Sequence, residues 1–152
     1  MILEATPPEG VGPVRIGMTI DAAEAALRTI PGYRPPAEQG VPTRGTAHYE
    51  SGMSIEVETA PGGTVEAVQV HRPYGPVAVE YRGIDLLRTP AAQVVERLGA
   101  LTELEEDEGG RGYTALGVLL ALWRPFVEDE NPDEEQGYYF QSVLVARPGY
   151  YD

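Results

Sequence analysis

The chain has 152 residues, enough for one domain that buries roughly two-thirds of the surface its unfolded form exposes. No apolar run approaches the roughly 20 residues that would cross a bilayer, and the absence of cysteine excludes disulfides, thiol catalysis and thiolate metal sites. The formal charge of −13, with 11 arginines, no lysine and no basic stripe, argues against nucleic acid as a partner, because its phosphates would be repelled.

In chain order, Met1–Gly10 carries Glu4 and Glu9 and lacks the basic and apolar segments of a secretory signal, so the cytoplasm is the expected location. The exclusive use of arginine, with 18 Gly and 14 Pro, points to a GC-rich, bacterial coding sequence. A first helix is predicted over Thr19–Ile30: Thr19 is placed to cap it, Asp21 favours its positive end, and Pro31-Gly32 stops it. Strands follow near Ala47–Glu50, Met53–Thr59 and Val65–Arg72, the last two joined by a turn at Ala60-Pro61-Gly62-Gly63. Beyond Pro73–Pro76 come a short strand at Val77–Tyr81 and a second helix at Pro90–Leu98, with Thr89 as cap and Gly99 as stop. Two strands, Tyr113–Trp123 and Tyr138–Arg147, close the chain.

The halves match in three places, in the same order. Val14, Ile16 and Thr19 precede the first helix as Ile84, Leu86 and Thr89 precede the second. Gly52, Met53, Ile55 and Val57 are answered by Gly117, Val118, Leu120 and Leu122. Val68, Val70, Arg72 and Pro73 are answered by Val143, Val145, Arg147 and Pro148. The reading is a single α+β domain with an internal repeat, 11–76 and 77–152. Neither copy is long enough to build a good core alone, so two tandem helix-plus-antiparallel-strand units are expected to form one fused sheet with both helices on one face.

The first helix entry, Ile16-Gly17-Met18-Thr19, resembles the hydrophobic-Gly-Met-Thr helix start of the β-lactamase-inhibitory-protein and BamE-like group. The second copy has Leu87-Arg88-Thr89 at that place. The resemblance implies small α+β units, tandem in the inhibitors, that act by binding other proteins and not by catalysis.

Signatures of chemistry are not found. His48 and His71 lack the spacing of a zinc site, and no partner residue is positioned to make either a general base; each is read as a solvent-facing strand histidine. Ser54 lacks the final glycine of a nucleophile elbow and is read as a strand serine. Gly10, Gly12 and Gly17 do not have the phosphate-loop or dinucleotide spacing. The segment Asp129–Asp133 imitates the start of a calcium loop, but Glu134 stands where the loop needs glycine and Phe140 where it needs a bidentate glutamate. No catalytic residue, metal or cofactor is assigned.

Period-two alternation separates the sheet faces. Met53, Ile55, Val57, Val68 and Val70 are the predicted core of the first copy, and Leu116, Val118, Leu120, Leu122, Val143 and Val145 that of the second. The opposite face is polar in the first copy: Ser54, Glu56, Glu58, Gln69 and His71. In the second copy it carries Tyr113, Leu119, Trp123, Tyr138, Phe140 and Leu144, which need a cover: the N-terminal stretch or the Tyr150-Tyr151 tail, a second copy of the chain, another protein or a small ligand. Two clusters, 103–108 and 128–135, hold 11 of the 24 acids, and a strand over Tyr113–Trp123 would set them roughly 30 Å apart. Glu106 and Asp107 on one side, Asp129 and Glu130 on the other, would then rim the aromatic face and steer a basic partner. The expected function is a non-enzymatic protein-binding module, in its sharper form an inhibitor or immunity-type protein that neutralises a basic protein. The alternative is a small-ligand-binding or enzymatic domain with a polar cleft between the two copies. A homodimer is a further option, and neither nucleic acid nor membrane is expected as a partner.

Overall fold

Alternating apolar and polar residues build most of this mixed α+β fold, and the strands fall into two sheets. The computed structural model describes residues 1–35, 44–107, 109–127 and 137–151. The first half supplies β1 (Ile2–Thr6), β2 (Gly10–Val11), β3 (Val14–Arg15), α1 (Ile20–Thr29), β4 (Tyr33–Arg34), β5 (Thr46–Tyr49), β6 (Ser54–Thr59) and β7 (Val65–His71). The second supplies β8 (Ala78–Tyr81), β9 (Ile84–Asp85), α2 (Ala91–Gly99), β10 (Glu105–Asp107), β11 (Gly112–Ala115), β12 (Leu120–Trp123) and β13 (Ser142–Ala146).

The larger sheet has eight strands in the order β10-β11-β12-β13-β7-β6-β5-β4, every neighbouring pair antiparallel. Each half contributes a consecutive block, and the last strands of the two blocks, β7 and β13, meet at the centre. The smaller sheet, β3-β2-β1-β8-β9, corrects the expectation of one fused sheet. Its central pair, β1 with β8, is parallel and joins strands more than 70 residues apart in sequence. A parallel pair needs a long crossover and leaves no hairpin signal.

One hydrophobic core joins both sheets. Ile55, Val70, Val143 and Leu122 form one register row across the larger sheet, and Val68, Val145 and Leu120 lie in the next; all are buried. Each such side chain contributes roughly 1.5–3 kcal/mol on burial. Strand β2 packs at β7 and β13, while α1 packs at β4, β5 and β6. Helix α2 has β9 of the smaller sheet as its main strand neighbour, and α1 also touches β3 of that sheet.

The helix starts differ for a physical reason. Thr19 caps α1, its Oγ1 accepting the Ala22 N–H at 3.2 Å. The residues before it are stitched to β7: Gly17 N–H donates to the Val65 carbonyl (2.9 Å) and Val65 N–H to the Met18 carbonyl (2.8 Å). Gly17 sits at φ +94, a conformation that disfavours any side chain. For α2, Pro90 and not Thr89 occupies the cap position, and no side chain caps the helix. Tyr49 ties α1 to the sheet by donating its hydroxyl to the Leu27 carbonyl at 2.8 Å, and burial pushes its ionisation above the usual tyrosine range. Among the described residues no helix is long and apolar enough to cross a membrane.

The predicted strand Tyr113–Trp123 is two strands, β11 and β12, joined by a turn in which Leu119 adopts φ +62. Leu116 is therefore exposed and Val118 half-buried in the turn, not in the core. The acidic residues Glu105–Asp107 form edge strand β10.

Candidate functional site

One face of the eight-stranded sheet is core; the other is the candidate site. Register fixes its composition. One row runs Arg34, His48, Ser54, His71, Ser142, Trp123, Gly112, Asp107. The next runs Thr46, Glu56, Gln69, Leu144, Ala121, Thr114, Glu105. The first half of the face is polar, as the alternation predicts. His48 is exposed, and His71 Nε2 lies 3.3 Å from Glu56 Oε1. At the seam the small residues Ala67, Ser142 and Ala146 are buried.

The second half is less aromatic than expected. Trp123, 45% exposed, and half-buried Leu144 do lie on this face. Tyr113 does not: it pairs with Leu122 and points to the core, its ring edge-on to Phe140 at 5.9 Å. Phe140 itself is fully buried. Leu119 belongs to the β11–β12 turn, and Tyr138, exposed, precedes β13. The alternation argument failed here because the hairpin at Leu119 resets the phase of every residue before it. That hairpin also removes the premise that set the two acidic clusters roughly 30 Å apart, since it brings Trp123 back beside Gly112 and Asp107. Glu105 and Asp107 face the open side, whereas Glu106 pairs with Tyr113 and lies on the other. Asp129 and Glu130 lie outside the described residues.

Two candidate covers within the chain are accounted for. The N-terminal stretch is β1 of the smaller sheet. The C-terminal turn lies at the first-half side, where Tyr150 donates its hydroxyl to Glu58 Oε2 at 2.6 Å. Glu58 pairs with Ala67, on the open face but away from Trp123.

Between Trp123 and Asp107 the register row holds Gly112. A depression lined by Glu105, Glu106, Asp107 and Thr114 opens beside it. A second, shallow groove is lined by Glu4, Thr6, Glu9, Tyr81, Arg82 and Val118, from both halves. Among the described residues no group of three or more His, Asp or Glu side chains is placed to hold a metal.

Sequence reasoning missed Arg124. It is buried, donates from Nε to the Gly110 carbonyl and from Nη1 to the Gly137 carbonyl (both 2.9 Å), and lies 5.6 Å from the Phe140 ring. It fastens the β10–β11 loop to the chain that leads into β13. An arginine after a strand in a Pro-containing stretch carries no signal of this role.

Scans of family models, curated proteins and solved structures find no match to this chain.

Proposed function

We propose that the chain is a tandem pair of related α+β units that acts as a non-enzymatic protein-binding module through the open face of its larger sheet. In its sharper form the reading is an inhibitor or immunity-type protein acting on a basic partner. One observation carries it: Trp123 is 45% exposed on a sheet face beside Leu144, with the N-terminal stretch and the C-terminal turn both engaged elsewhere. Trp and Tyr are the residue types that most often anchor protein interfaces. The acidic edge strand and the charge of −13 favour a basic partner, whose approach they would steer. Support for tandem units is the mirrored strand order about β7 and β13.

A small-ligand or enzymatic reading needs a polar cleft between the halves. At the centre of the larger sheet they meet as paired valines, Val68 with Val145 and Val70 with Val143, and the polar groove that both halves line, with Glu4, Thr6, Glu9 and Arg82, lies at the smaller sheet.

The test is affinity capture from the native cell extract with the wild type and Trp123→Ala, both checked for fold by circular dichroism. A basic protein retained by the wild type and lost by the variant is the expected result. Equal retention by both, or a Trp123 emission typical of a dry core, would overturn the proposal.

A further inference from the structure

We infer that the groove at the smaller sheet binds a small zwitterion of the dipeptide class, its carboxylate at Arg82 and its ammonium at Glu4. The groove shares no residue with the face around Trp123, and the inference does not rest on the protein-binding reading.

Topology brings the groove together. The parallel pairing of β1 with β8 sets the C-terminal ends of both strands at the same edge of the smaller sheet. The turns that leave them are therefore neighbours: Pro7–Glu9 between β1 and β2, and Arg82-Gly83 between the paired residues Tyr81 and Ile84. Each half of the chain supplies one turn, and Val118 of the β11–β12 turn lines the groove with them. The enclosed volume is about 370 Å³, within the roughly 300–1,000 Å³ usual for small-ligand sites.

The lining carries charges of both signs that do not neutralise one another. Among the described residues neither Glu4 nor Arg82 has an ion-pair partner, and Glu9 reaches only Arg15, at 3.9 Å. The Arg82 guanidinium lies 5.8 Å from the Tyr81 ring. Extending the register from the Glu4–Glu80 pair brings Thr6 level with Arg82. Glu4 and Arg82 are then diagonal neighbours, roughly 8 Å apart at Cα. A ligand that carries both complementary charges satisfies both residues at once through charge-assisted hydrogen bonds. A simple cation would meet Arg82, a simple anion would meet Glu4 and Glu9, and an apolar molecule would desolvate all three. An extended dipeptide spans up to about 7 Å, comparable to the separation of its two anchors. Tyr81 and half-buried Val118 supply the apolar part of the lining for its side chains.

Arg82 also allows a variant that keeps the fold. It sits at φ +49 and Gly83 at φ +81, the two-residue hairpin turn that favours Asn followed by Gly. Arg82→Asn therefore removes the cation while supplying the residue that the backbone prefers, and its Tm should equal or exceed that of the wild type.

The experiment titrates alanyl-phenylalanine into the 15N-labelled full chain and follows the Thr6 and Gly83 amide resonances. N-acetyl-alanyl-phenylalanine and alanyl-phenylalaninamide serve as forms that each lack one charge. A saturable shift is expected, with the zwitterion bound about tenfold more tightly than either capped form, the order of one charge-assisted contact. Arg82→Asn should erase the advantage of the zwitterion over the amide, and Glu4→Gln its advantage over the acetylated form. Equal affinity for all three forms, the absence of a saturable shift, or an advantage that survives both substitutions in folded variants overturns the inference. None of these readouts involves Trp123, so such a failure leaves the protein-binding reading standing.

Discussion

Gln69 and Leu144 stand opposite each other in the β7–β13 ladder, and the pairs flanking them cross the halves: Val68 with Val145, Val70 with Val143. In the matched motifs Val68 answers to Val143 and Val70 to Val145, and their pairing is symmetric about the Gln69–Leu144 pair. Each of these two valine pairs thus belongs to both halves at once. Val143→Ala is expected to destabilise the chain by about 2 kcal/mol, the order of a buried valine's contribution. Because the lost contact is shared, Trp123 fluorescence and far-ultraviolet circular dichroism should report one common, lowered midpoint in urea. Two separated transitions would show that the halves unfold independently.

Among the described residues Arg124 is the buried charge, and at least two carbonyls lose a partner without it. Arg124→Met should cost about 3 kcal/mol, because the Gly110 and Gly137 carbonyls each lose a charge-assisted bond. Arg124→Lys should recover little, since an ammonium has no planar fork with which to reach both at once. Denaturant midpoints of the two variants check this; full recovery by lysine would mean that charge, not geometry, is what the site needs.

What was legible in the sequence follows the range of the forces involved. Local signals read true: the Thr19 cap, the Pro31-Gly32 stop, the alternation of Ile55, Val57, Val68 and Val70. The polar half of the open face was read correctly from Ser54 to His71. Three features escaped for separate reasons. The turn between β11 and β12 contains Gly117, but its positive φ falls on Leu119, where no Gly or Asn marks it, so β11 and β12 looked continuous and Tyr113 was given the wrong face. Glu105–Asp107 has no apolar alternation, because an edge strand needs only one neighbour and can expose charge on both faces. Strand β1 does alternate, burying Leu3 and Ala5, but its parallel partner β8 is too distant in sequence to announce the pairing.

The C-terminal turn is tied down by the Tyr150–Glu58 hydrogen bond, with Tyr150 and Tyr151 in edge-on contact at 5.1 Å. That bond, then burial, holds the Tyr150 phenol in its protonated form and pushes its pKa up to about 12. The sign is definite: a folded-state pKa raised above the unfolded value stabilises the fold fully below pH ~10, and the contribution is lost as pH rises from there through about 12. Absorbance titration of the wild type minus Tyr150→Phe should show one tyrosine ionising late. In Glu58→Gln the same difference should move back toward the ordinary range. An unchanged difference would mean that Glu58 does not hold the phenol.

The two helix starts make opposite predictions from similar sequences. Thr19 and Thr89 occupy matching positions in the sequence motifs of the two halves, yet only Thr19 accepts a bond from its helix. Thr19→Ala should therefore cost about 1 kcal/mol, the usual value of a side-chain cap, whereas Thr89→Ala should stay within about 0.5 kcal/mol of wild type. The difference arises because Pro90, one residue later, takes the cap position of α2. Its fixed φ suits a helix entry, and its missing N–H leaves no donor there to satisfy. Replacing Pro90 by Ser should then stabilise α2 by supplying the absent cap, and the same change in a Thr89→Ala background should give the same gain. Chemical denaturation of the four variants checks the set. Equal losses for Thr19→Ala and Thr89→Ala would mean that the second helix keeps the first helix's start after all.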